Sequence, residues 1–139
     1  MNLGGRGYSA YFNGTDMSII PHNPIYEKYE FTLTFWVFLL PGNMDGWRTL
    51  IYKGESSQEM TPSILLWPKD TRLHVRVSTD KLANEGLDSV SAISLRKWTQ
   101  ITVTYSRQLL QLFINGMLDS QIILQGNLKV YFRKKERKK

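Results

Sequence analysis

Hydrophobic residues return at every second position along much of this chain. In TQITVTY (99–105), Ile101, Val103 and Tyr105 fall on one face and Gln100, Thr102 and Thr104 on the other. That is the alternation of a half-buried strand rich in β-branched residues. RLHVRVS (72–78) repeats it, with Leu73, Val75 and Val77 inward and Arg72, His74, Arg76 and Ser78 outward. Leu110, Leu112 and Ile114 align in the next run, and Ile122 and Leu124 resume the phase after Asn115-Gly116. No segment keeps a helical period with a cap. Turn signals recur at Asn13-Gly14, Asn23-Pro24, Pro41-Gly42-Asn43, Pro68-Lys69-Asp70, Asn84-Glu85-Gly86 and Asn115-Gly116. Short strands separated by such turns predict an all-β, antiparallel sandwich or barrel. Asn115-Gly116 is a hairpin turn, because a type I′ turn needs positive φ at both central positions and these residue types tolerate it best.

Composition narrows the picture. With 139 residues, 42% of them hydrophobic, the chain can bury one real core. The formal charge of +6 is unevenly spread, since RKKERKK (133–139) carries six bases and one acid and leaves the remainder nearly neutral. The basicity therefore describes a disordered tail, read first as a non-specific end and otherwise as a nuclear localisation signal or a contact for an anionic partner, and not a nucleic-acid-binding fold. There is no cysteine, so neither a disulfide framework nor a thiolate site is available. No run is long enough for a transmembrane helix and the start lacks a signal-peptide core. These features favour an intracellular setting, whereas the sequon Asn13-Gly14-Thr15 has meaning only in a secreted chain.

Four stretches, YSAYFNGTDMSIIPHNP, FTLTFWVFL, TLIYKG and WTQITVTYSRQLLQLFINGMLDS, resemble in that order the laminin G-like modules of the concanavalin A-like lectin/glucanase superfamily. The resemblance spans roughly residues 7–126. It implies a jelly roll of two antiparallel sheets without enzymatic activity, used to bind carbohydrate or protein. It further implies an opening strand at the aromatic YSAYF segment and core positions for Trp36 and Trp98. GNLKVYF (126–132) serves as the strand after the hairpin, but nothing serves as the family's closing strand. A domain at 1–132 lacking that strand would leave an open edge. The chain then reads as a truncated module, an alternative end, or one piece of a larger assembly completed by another chain.

Candidate chemistry is sparse. The paired acids that glycoside hydrolysis needs on one strand do not occur at the required spacing. Glu55 and Glu59, and Glu27 and Glu30, read as solvated loop acids. His22 and His74 form no zinc pattern, and no catalytic residue is assigned. The resemblance implies calcium as a cofactor of some relatives. Asp16, Asp45 and Asp119 are the oxygen ligands that would hold it here, alongside Asn43 and Asp88, although they do not cluster in the sequence. For ligand binding, Trp47 and Trp67 are the tryptophans free to stack on a sugar. Arg72, His74 and Arg76, with Lys69 and Lys81 near the strand ends, form a basic strip suited to an anionic ligand such as a sulfated glycan.

Overall fold

Alternating apolar positions can leave water only if two sheets face each other, and the chain takes this course. A computed structural model describes residues 7–129. The basic tail, residues 133–139, and the end of the 126–132 segment lie outside them. Among the described residues eight strands form: β1 (Phe31–Phe38), β2 (Arg48–Tyr52), β3 (Ser63–Leu66), β4 (Arg72–Val77), β5 (Glu85–Ala92), β6 (Trp98–Ser106), β7 (Leu109–Ile114) and β8 (Met117–Ile123). They pair antiparallel in two sheets, β1-β6-β7-β8 and β2-β3-β4-β5.

The inward set is the one the alternation assigned. Leu73, Val75, Val77, Ile101, Val103, Leu110 and Leu112 are fully enclosed, with Ile64 and Leu66 opposite them. Ser78 departs from its outward assignment. It is buried because its hydroxyl ties three loop groups together, accepting from the Met60 amide and donating to the carbonyls of Gln58 and Ala83.

The hairpin at Asn115-Gly116 has φ of 52° and 78°. Its asparagine also grips the neighbouring β6: the Asn115 amide donates to the Gln100 carbonyl at 2.8 Å, and the Gln100 amide donates to Asn115 Oδ1 at 2.9 Å. The expected turn at Asn84-Glu85-Gly86 is displaced, for Glu85 and Gly86 open β5. Glu85 is held inside by Thr79 Oγ1 at 2.8 Å and by the Gln125 amide.

One correction concerns the start of the chain. Tyr8–Phe12 joins no ladder, although the resemblance implied an opening strand there. Residues 7–23 carry exposed Tyr8, Tyr11, Phe12, Met17, Ile19 and Ile20. The sandwich also closes unevenly. β5 packs closely on β8 at one side, while the backbones of β1 and β2, the end strands at the other, do not approach as closely. Phe31, Leu33, Phe35 and Val37 of β1 and Leu50 of β2 are consequently only half-buried.

Candidate functional site

The outward face of the β2-β3-β4-β5 sheet gathers residues that are far apart in sequence. Antiparallel register sets Leu65 opposite His74 and Ser63 opposite Arg76, and β5 places Asp88 on the far side of His74. β3 runs straight into Trp67, whose backbone amide donates to the Arg72 carbonyl at 3.1 Å. Trp47 enters from the loop before β2. Its ring lies 4.6 Å from that of Trp67 and 4.7 Å from that of His74, and Trp67 meets His74 edge-on at 5.1 Å. Trp47 remains about half exposed, at 47%. Arg72, His74, Arg76, Trp47 and Trp67 thus share one face.

The strip is not a bare cationic surface. Arg72 Nε sits 2.5 Å from Asp70 Oδ2, and Arg76 and His74 Nδ1 approach the same Asp88 Oδ1 at 3.5 and 2.6 Å. Each guanidinium therefore has a carboxylate, and the uncompensated basic strip expected from the strand alone gives way to two neutralised pairs. Lys69 lies exposed in the β3–β4 turn at φ 58°, and Lys81 is exposed in the β4–β5 connection. The Arg72 hydrogen bond is the main cause holding Asp70 below the usual carboxylate range. Asp88 could be reached only through cross-strand register. Asp70, two residues before Arg72, stood within sequence reach.

Burial under the two indoles pushes the His74 pKa below its ordinary value, with Arg76 adding to the depression and Asp88 opposing it. A neutral imidazole that donates from Nδ1 to Asp88 leaves Nε2 as an acceptor. The sign for stability follows. The unfolded chain takes up its proton first as pH falls through about 6.5, so the domain is most stable above that range and loses stability below it. His74→Gln should flatten the fall in melting temperature between about pH 7.5 and 5 relative to the parent chain; an unchanged slope would show that His74 does not titrate this way.

Beneath the platform, three polar atoms are enclosed without a protein partner: Arg48 Nε, Trp67 Nε1 and Ser63 Oγ. Arg48 is fixed by donating to the carbonyls of Trp67, at 3.1 Å, and Asp70.

The oxygen ligands do not converge. Asp119 accepts from the Val90 and Ser91 amides at 2.7 and 3.0 Å, which spends its carboxylate on joining β8 to β5. Asp16 and Asp45 sit in separate turns whose amides donate to Asn13 and Asn43. Among the described residues no three acids or histidines group as a metal site. The Glu27 and Glu30 pair also has structural partners: His22 lies 3.0 Å from Glu27, and the Ser106 hydroxyl donates to Glu30 at 2.7 Å.

Trp36 and Trp98 are not core residues. They are 60% and 49% exposed on the outside of the β1-β6-β7-β8 sheet, because each shares the phase of outward threonines and glutamine on its own strand.

A laminin G-like family model, described as the concanavalin A-like lectin/glucanases superfamily, matches residues 6–134. The chain belongs to this superfamily. No curated protein and no solved structure matches it. The laminin G-like domain therefore carries its family's two-sheet architecture with the aromatic platform on one outer face. Laminin G-like domains are in general binding modules without enzymatic activity.

Proposed function

We propose that this domain binds carbohydrate through the outward face of β2-β3-β4-β5, without catalysis. The observation that carries the reading is the convergence of half-exposed Trp47, packed at a tilt against Trp67 and His74, with the Arg76–Asp88 pair. A flat indole takes the C–H face of a sugar ring, while a carboxylate, a guanidinium and the free imidazole nitrogen supply acceptors and donors for its hydroxyls. Because the arginines are already neutralised, hydroxyl recognition suits the face better than attraction of polyanions. A glycan panel read by isothermal titration, comparing the parent chain with a Trp47 variant, tests it.

A second reading is favoured by the uncovered side of the sandwich. Among the described residues β1 and β2 each have an unpaired edge there, and unpaired edges recruit strands from other chains. On this reading the domain is an assembly subunit whose edge another chain completes. Light scattering across a concentration series would then show self-association or aggregation. A monomer at every concentration, with one cooperative melt, counts against it.

A further inference from the structure

The opposite outer face, on β1-β6-β7-β8, has a chemistry of its own. In a chain with 22% charged residues, its outward strand positions carry no charge. Asp119, out of register at the β7–β8 bulge, turns instead toward β5. Along the β1–β6 pair the outward partners run in order Phe38 with Trp98, Trp36 with Gln100, Thr34 with Thr102, and Thr32 with Thr104. One end is aromatic: Phe38 and Trp98 pack at 5.4 Å, and Trp36 and Trp98, with Tyr8, line a cleft of about 460 Å³. The rest of the β1–β6 pair is hydroxyl, while β7 and β8 add the amides of Gln111 and Gln121 and the apolar Phe113, Leu118 and Ile123. Thr34 and Thr102 share a hydrogen bond of 2.9 Å, and Gln111, the β7 partner of Thr104, donates to Gln121 at 2.9 Å. A second cleft of about 330 Å³, bordered by Thr32, Thr104 and Ser106 and by the Glu30 carboxylate just before β1, opens at the far end. Six residues of strand separate the two ends, roughly 20 Å.

We propose that this ribbon is a second ligand site, taking an uncharged oligosaccharide that lies along β1–β6 with a ring stacked in the Trp36–Trp98 cleft and hydroxyls on the threonine pairs. Three features select that ligand. The exposed indoles offer stacking surface without a charge, which suits a neutral sugar ring. Threonine hydroxyls and glutamine amides both donate and accept, as sugar hydroxyls do, whereas an apolar partner would strand them. The length between the clefts calls for a chain of several rings and not a single sugar. The site does not depend on the Trp47 platform.

The test is affinity electrophoresis of the full chain through gels containing neutral polysaccharides, laminarin and hydroxyethyl cellulose, with a Trp47→Ala chain run in parallel. At least one polysaccharide should retard the parent and Trp47→Ala chains alike. Trp36→Ala/Trp98→Ala should lose about tenfold or more of the affinity, the range of a tryptophan anchor. Both tryptophans are exposed, so a melt of that variant should show retained folding. If it unfolds, Gln111→Glu, which sets a charge on the ladder, must weaken retardation instead. Raising salt should leave binding of the parent unchanged, as no ion pair contributes. Absence of retardation on both polysaccharides, retardation lost only with Trp47, or a concentration-dependent dimer abolished by the Trp36 and Trp98 substitutions would each overturn the proposal.

Discussion

Trp47→Ala should weaken binding of the preferred glycan at the β2-β3-β4-β5 face by about tenfold or more, the loss expected when a central aromatic anchor is truncated. The melting temperature should change little. Trp47 is half exposed and borders Trp67 and His74 from the solvent side, so its removal uncovers a platform and does not excavate the core. Arg48 still fixes the Trp67 carbonyl, and Asp88 still holds His74, leaving the polar half of the patch in place. Titration calorimetry on parent and variant reads affinity, and a thermal melt separates lost binding from lost folding. Equal affinities would remove the platform from consideration as a sugar site, while leaving the β1–β6 ribbon as a separate question.

Gly86→Ala should be the most damaging small substitution near the platform. A Cβ built there would stand 2.0 Å from the Val75 carbonyl oxygen and 3.0 Å from Arg76 Cα. Backbone cannot yield as a flexible side-chain end can, so β5 would have to move off β4. The cost is of the order of 3 kcal/mol, at the upper end for an overpacked site. For a domain of this size that corresponds to a fall of roughly 10 °C in melting temperature. Because Gly86 pairs with Arg76 and Asp88 with His74, the same displacement should pull Asp88 from the imidazole and weaken ligand binding. Gly46→Ala is the matched control, with nothing within 4 Å of its added methyl. Melts of the two variants that coincide would show that β4 and β5 tolerate the added methyl.

How much was legible in the sequence depended on the range of the interaction. Buried Ile101, Val103, Leu110 and Leu112 follow from a two-residue phase that any five neighbouring residues display. The same phase sets Trp98 with Gln100 and Thr102, and Trp36 with Thr34, on the outward side. Here the local alternation described the tryptophans better than the positions implied by family resemblance. The β6–β7 turn passed unnoticed because Arg107 and Gln108 take φ of 49° and 67° without a glycine or asparagine to mark it. Strand pairing on both sides imposes a left-handed turn that the residues themselves do not favour.

The sequence by itself determined the all-β class, the inward faces of the central strands and the Asn115-Gly116 hairpin, since each rests on backbone geometry between near neighbours. It also contained every residue of the aromatic platform, but not their meeting. His74 finds Asp88 fourteen positions away, at |i−j| = 14, and Trp47 reaches Trp67 from another strand's approach. Tertiary structure alone decided that Arg76 is paired with Asp88, that Ser78 is buried and that Asp119 joins two strands. Cross-strand register and sheet packing fix those relations, and both are set by contacts between segments that the local pattern leaves independent.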